Sequence, residues 1–308
     1  MADITTDERL RAALAALART DFGALRHDNA EVTRVEVPVH PGPVAPEEFR
    51  EYLALTVREW GPVSLYGGAD GVFALWQGDS VFRLLKLDAR AAVTALATDP
   101  RACQEWFARV CEPGDLTVAN APYSWLGGTS AVREEFPGSW FTAFARTWEE
   151  MTEGLAATLR DVYLGMRYLG VGAPGPLDDE PDTVRISLAP YGCTHWEDPR
   201  IVQLEQRIAE TRVYVDGSTV DRTWLTARGF VPMVGGQWRW VRPLPPDRSE
   251  FAAELAVELL REFGFRQPLD TCFRSGRASS PYESFSLHAI GADLEYLESF
   301  TYQEDEDE

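Results

Sequence analysis

The densest group of reactive side chains is Tyr191–Asp198, YGCTHWED. In an extended chain Cys193, His195 and Glu197 would point to one side at alternate positions. A thiolate, an imidazole and a carboxylate so placed can hold zinc, or pair as nucleophile and base in a hydrolase or transferase. The spacing matches no metal or nucleophile signature, and nothing nominates His27, His40 or His288 as a third ligand. A polar turn, with Asp198 capping a following helix, accounts for the same residues more simply. No catalytic residue, metal ligand or cofactor is therefore assigned.

Other candidates fall short in the same way. Gly127-Gly128-Thr129-Ser130 lacks the lysine and the strand–helix setting of a phosphate loop. Ser279-Ser280 has no G-x-S-x-G context. Asp178, Asp179, Glu180 and Asp182 lack the alternating spacing of a calcium loop. The tryptophans carry a better case, because indoles anchor interfaces as well as filling cores. Trp238 and Trp240 share one face of a predicted strand and read as core. Trp125 and Trp196 fall in predicted loops and read as surface anchors, with Tyr191 and His195 beside Trp196 as further partner-binding residues.

The formal net charge is -20 across 308 residues. Such a surface repels nucleic acid and anionic membranes and favours a basic protein partner. Hydrophobic residues make up 45% of the chain, enough for sizeable cores. The N-terminus, MADITTDERL, is polar and acidic, and no apolar run approaches the length of a membrane span. Cys103, Cys111, Cys193 and Cys272 form no C-x-x-C pair, and all four are expected to be reduced. A cytoplasmic location follows. Lys86 is the only lysine in a chain rich in Ala, Arg, Gly and Pro, which suggests a GC-rich genome such as an actinobacterium's.

Periodicity places the elements. Helices are expected over residues 6–20, from Pro46 to Trp60, from Asp99-Pro100 through Cys111, from Ser139 onward, from Asp198-Pro199 to Ala209, and around Trp224. Strands are expected at Glu31–Val39, Val63–Tyr66, Val72–Gln77, Ser80–Leu87, Thr183–Leu188, Thr211–Val215 and Glu283–Ile290. The clearest unit is a hairpin turned at Gly235-Gly236, followed by a helix that Ser249 would cap. Leu255, Leu259 and Phe263 would lie on its sheet, and Gly264 would end it. The fold class is α+β, in two lobes, each a mainly antiparallel sheet with helices packed on one face. The lobes are placed at 1–115 and 116–302, with a disordered acidic tail at 303–308.

WRWVRPLP before the last helix and LLREFGF at its end resemble the actinobacterial branch of the type III secretion chaperone-like (YbjN-like) proteins. VEVPV, the Gly61-Pro62 break and SLYGG…FALWQG look like small uncharacterised actinobacterial proteins. The first resemblance implies peptide or protein binding without catalysis. The leading expectation is thus a non-catalytic protein-binding protein, chaperone-like or immunity-type, engaging a basic or aromatic-rich partner. An enzyme using Cys193, His195 and Glu197, and a small-ligand-binding module between the lobes, stay open as alternatives.

Overall fold

The computed structural model describes residues 6–19, 34–68, 71–79, 81–88, 90–102, 124–127, 145–170, 183–191, 198–243, 248–277, 286–287 and 292–293. The chain is α+β and divides into two compact units. One comprises Met1–Asp115, Leu126–Trp140 and Leu164–Val171. The other comprises Leu116–Trp125, Phe141–Tyr163 and Gly172–Glu308.

In the first unit, α1 (Thr6–Ala18) buries Leu10, Ala13, Leu14 and Leu17, the i, i+3, i+4, i+7 stripe of an amphipathic helix. Strand β1 (Arg34–His40) leads to α2 (Pro46–Trp60), which opens on Pro46 with Glu47 and Glu48 in its first turn. Gly61, at φ +88°, closes α2 by donating its N–H to the Val57 carbonyl. Strands β2 (Leu65–Gly68), β3 (Gly71–Gln77), β4 (Phe82–Asp88) and β5 (Val93–Thr98) follow, and the order β1-β5-β4-β3-β2 is antiparallel throughout.

The central strand β3 is buried from Val72 to Trp76, as a strand covered on both faces must be. Gly71 lets β3 approach β4, since a Cβ there would stand 2.1 Å from the Leu87 carbonyl oxygen.

Strand β5 was not expected from the sequence, yet it joins β1 to the rest of the sheet. Asp88 makes it possible. Its carboxylate accepts the N–H groups of Arg90 (2.8 Å) and Ala92 (2.9 Å), while Ala91 takes a φ of 59°. A run of alanine and arginine conceals that turn.

Strand β6 (Trp125–Gly127) stands beside β2 in the first sheet, with Trp125 itself counted in the second unit. The π-helical turn Gly165–Leu169 that continues helix α3 (Trp148–Leu164) is counted in the first unit; α3 itself is a long helix of the second unit. Its stripe of Met151, Leu155, Leu159 and Val162 is buried as its periodicity requires. Its start is later than expected from Ser139. Residues 145–147 are not helical, and Thr147 caps the helix by accepting the Glu150 N–H at 3.2 Å. The Glu150 side chain reaches back to the Arg146 N–H at 2.7 Å, in the manner of a capping box.

The second sheet is built from β7 (Val184–Pro190), β8 (Val202–Gln206), β9 (Thr211–Asp216), β10 (Val231–Pro232), β11 (Gln237–Arg242), β12 (Thr271–Arg277) and β14 (Ala292–Asp293), in the order β10-β11-β9-β8-β7-β12-β14. All pairings with a given register are antiparallel except β12 with β14. The remaining elements are α4 (Arg222–Ala227), α5 (Ser249–Glu262) and a short strand β13 (Ser286–Leu287).

Strand β8 corrects the helix expected over Asp198–Ala209. Asp198 caps only a local turn, accepting the Arg200 N–H at 2.8 Å, and Val202 and Leu204 then alternate into the core. Strand β12 had no counterpart in the sequence reading. It pairs with β7 from Thr271↔Pro190 to Arg277↔Val184.

The two faces of this sheet differ. Trp240, Val213, Leu204 and Ile186 line up on one, together with Trp238, Val215, Val202, Leu188 and Phe273, and α5 packs there on β8 and β9. The opposite face carries Arg185, Arg212, Tyr214 and Arg239 around a buried carboxylate, Glu205. Glu205 receives Arg185 at 2.9 Å and the Tyr214 hydroxyl at 3.0 Å.

The hairpin turns through Gly235 (φ 86°) and Gly236 (φ 87°), as expected. Trp240 is buried, whereas Trp238 is half-buried and lies over Gly217, where a Cβ would meet its ring at 2.3 Å. Arg248, not Ser249, occupies the N-cap of α5, and Ser249 is a buried first residue. Leu255 and Leu259 are buried, but Phe263 is only half-buried at the helix end. The end itself is a Schellman turn: Gly264 donates to the Arg261 carbonyl (2.9 Å) and Phe265 to that of Leu260 (3.2 Å).

Candidate functional site

Helices α3 and α5 leave a groove of about 690 Å³ between them in the second unit. Its floor is small and apolar: Ala156 and Ala157 from α3, and Val257 from α5. Its walls are glutamate. Glu149 and Glu153 stand one turn apart on α3, and Glu250, Glu254 and Glu258 repeat at the same spacing on α5. Residues four apart fall on one helix face, so each helix turns a carboxylate ladder to the groove. The groove also includes the ring of Trp148.

Pairing separates these charges into two groups. Arg228 donates to Glu258 at 2.6 Å and is itself stacked 3.7 Å from the Trp224 ring. Arg160 is held to the buried Asp161 at 3.0 Å, where the Ser124 hydroxyl donates at 2.6 Å. Glu149, Glu153, Glu250 and Glu254 are exposed and carry no hydrogen bond or ion pair among the described residues. Arg261 also lines the groove and makes no ion pair among the described residues. Like charges at i, i+4 weaken a helix by a few tenths of a kcal/mol per pair, a cost that the first-turn positions of Glu149 and Glu250 offset through the helix dipole.

The residues nominated from sequence are elsewhere. Trp125 is fully buried, which corrects its reading as an exposed anchor. Its neighbour Ser124 is bonded to Asp161, and the Thr158 hydroxyl donates to the Ser124 carbonyl at 3.4 Å, so the segment is packed into the unit. Tyr191 is 58% exposed, and its N–H donates to the Asp270 carbonyl at 2.7 Å. Trp196, His195, Cys193 and Glu197 lie outside the described residues. Just after them, Arg200 grips Asp198 through two nitrogens, at 2.8 and 3.1 Å, and holds that carboxyl below the usual carboxylate range.

Of the four cysteines only Cys272 is described; it is buried, its thiol directed at the Pro190 carbonyl at 3.1 Å. Among the described residues no group of three or more His, Cys, Asp or Glu side chains is placed to hold a metal ion. No helix there is long and apolar enough to cross a membrane. Among the described residues the groove contains no cysteine or histidine, the reactive residue types that mark a site in sequence. Its signal was present as glutamate at four-residue spacing on two predicted helices. Comparison with protein-family models, with curated proteins and with solved structures finds no match to this chain.

Proposed function

We propose that this is a non-catalytic protein-binding protein, of chaperone-like or immunity type, that holds a basic segment of a partner protein between α3 and α5. The observation that carries this reading is the two glutamate ladders flanking an apolar floor, of which Glu149, Glu153, Glu250 and Glu254 make no ion pair among the described residues. Four carboxylates without counter-ions among the described residues, set against Arg261, are complementary to a lysine- or arginine-rich stretch. Val257, the two alanines and Trp148 offer apolar contact to the aliphatic or aromatic side chains between those cations.

The excess acid of the whole chain supports the same choice and disfavours nucleic acid and anionic membranes. The resemblance of the C-terminal stretch to type III secretion chaperone-like proteins also points to binding without chemistry. A cytoplasmic actinobacterial setting belongs to the same proposal.

The test is fluorescence anisotropy of a labelled amphipathic peptide of Lys, Leu and Ala, with its Glu-for-Lys counterpart as control. Saturable binding of the basic peptide that weakens steadily with salt is expected. Equal binding of both peptides, or of neither at low salt, contradicts the proposal.

A further inference from the structure

A second place in the molecule leaves charge unmatched, with the opposite sign. In the first unit, Arg83 on β4 stands opposite Trp76 on β3 in the sheet register, so both side chains rise from the same face. Trp60, the last residue of α2, meets Trp76 edge-on, with ring centroids 5.2 Å apart and planes at 80°. The Arg83 guanidinium lies 5.9 Å from the centre of the Trp60 ring. Trp76 is locked by its indole N–H, which donates to the Gly61 carbonyl at 2.8 Å.

Two donors in this corner have no acceptor. The Trp60 Nε1 and the Arg83 Nε are both buried and without a hydrogen-bond partner. Arg83 also has no carboxylate beside it among the described residues, although its surroundings draw it partly out of water and push its pKa down. A guanidinium in that position gains most from an anion that restores both charge balance and hydrogen bonds.

We propose that Arg83, Trp60 and Trp76 form a binding site for a carboxylate. The site offers one positive charge and two unsatisfied donors, which a monoanionic, two-oxygen acceptor matches. A phosphate monoester brings nearly twice that charge and leaves it unbalanced. Trp76, itself buried, supplies the wall that fixes Trp60, and the half-buried Trp60 indole suits an apolar or aromatic group attached to the carboxylate. Arg83 and Trp60 are half-buried as residues while the two donor atoms are covered, so a small ligand reaches those donors as the Trp60 ring shifts at the surface. This site does not depend on the groove between α3 and α5.

The experiment follows the indole N–H resonance of Trp60, identified by its loss in Trp60→Phe, during titration with benzoate and, separately, N-acetylglutamate methylamide. Saturable movement of that resonance is expected, with at least tenfold weaker binding in Arg83→Gln. Arg83→Lys keeps the charge without the fork and should bind more weakly than the native residue. Thermal melts confirm that the variants fold. Tighter binding of benzoate identifies a free small acid as the ligand class, and tighter binding of the blocked glutamate identifies a side chain of a partner. A Trp60 resonance unmoved by both, an unchanged response in Arg83→Gln, or tighter binding of inorganic phosphate would overturn the proposal.

Discussion

The groove of the second unit and the aromatic corner of the first hold unmatched charge under opposite conditions. Glu149, Glu153, Glu250 and Glu254 are exposed, so water and salt screen them and their mutual repulsion is small. Arg83 is half-buried against tryptophan, where screening is weaker and desolvation dominates. The first arrangement suits a long-range, salt-sensitive grip on a polycation. The second suits a short-range contact with one anion. Number and exposure of the charges set that difference, not sign alone.

The largest effect should come from removing the support of the groove. Leu259 is fully buried under α5, and Leu259→Ala should cost about 2–5 kcal/mol in chemical denaturation and weaken peptide binding. Leu85→Ala in the first unit, equally buried, should lose similar stability while peptide affinity of the folded protein stays within about twofold. Loss of peptide binding in both variants would break the separation of the two sites.

A smaller effect distinguishes paired from unpaired buried charge. Asp161, 1% exposed, is bonded to Ser124 and Arg160, and Asp161→Asn should cost about 1–3 kcal/mol. Arg83→Met removes a half-buried charge that no carboxylate balances among the described residues, so its melting temperature should be unchanged or higher. A clear drop for Arg83→Met would show that the guanidinium is stabilised where it stands.

The smallest effect is set by pH. Arg200 lowers the pKa of Asp198 in the folded state, so the ionised pair favours folding above the unfolded carboxyl's pKa. That contribution is lost as pH falls through the folded value. Arg200→Ala should therefore lower the melting temperature slightly at pH 7 and not at all at strongly acidic pH. An equal deficit at both would assign the effect to the stacking of Arg200 on Phe265, 5.8 Å from the ring centre.

Much of the fold was legible because its signals are local. The Gly235-Gly236 turn, the apolar stripe of α5 and its Gly264 end, and the Pro46 start of α2 all act within a few residues. Strands β5 and β12 were not legible, since each is specified by pairing with distant partners. Asp198-Pro199 misled because the same cap-and-proline signal that opens a helix also closes a turn before β8. The glutamate ladders were readable as four-residue spacing once α3 and α5 were drawn. The Arg83 corner was not, because Trp60, Trp76 and Arg83 meet only when α2, β3 and β4 have folded together. Trp125 shows the reverse error. Its surrounding loop composition predicted exposure, and packing buried it.

The central claim is that position, and not total charge, makes the groove bind. Two variants with the same change in net charge decide it. One carries Glu149→Gln, Glu153→Gln, Glu250→Gln and Glu254→Gln. The other carries Glu47→Gln, Glu51→Gln, Glu59→Gln and Asp79→Asn, all exposed in the first unit. Titrated with the basic amphipathic peptide at physiological salt, the groove variant should lose at least about tenfold in affinity, or roughly 1.4 kcal/mol, and the other should stay within about twofold. Equal losses in the two variants would show that the peptide reads only the acidity of the chain, and would contradict the account.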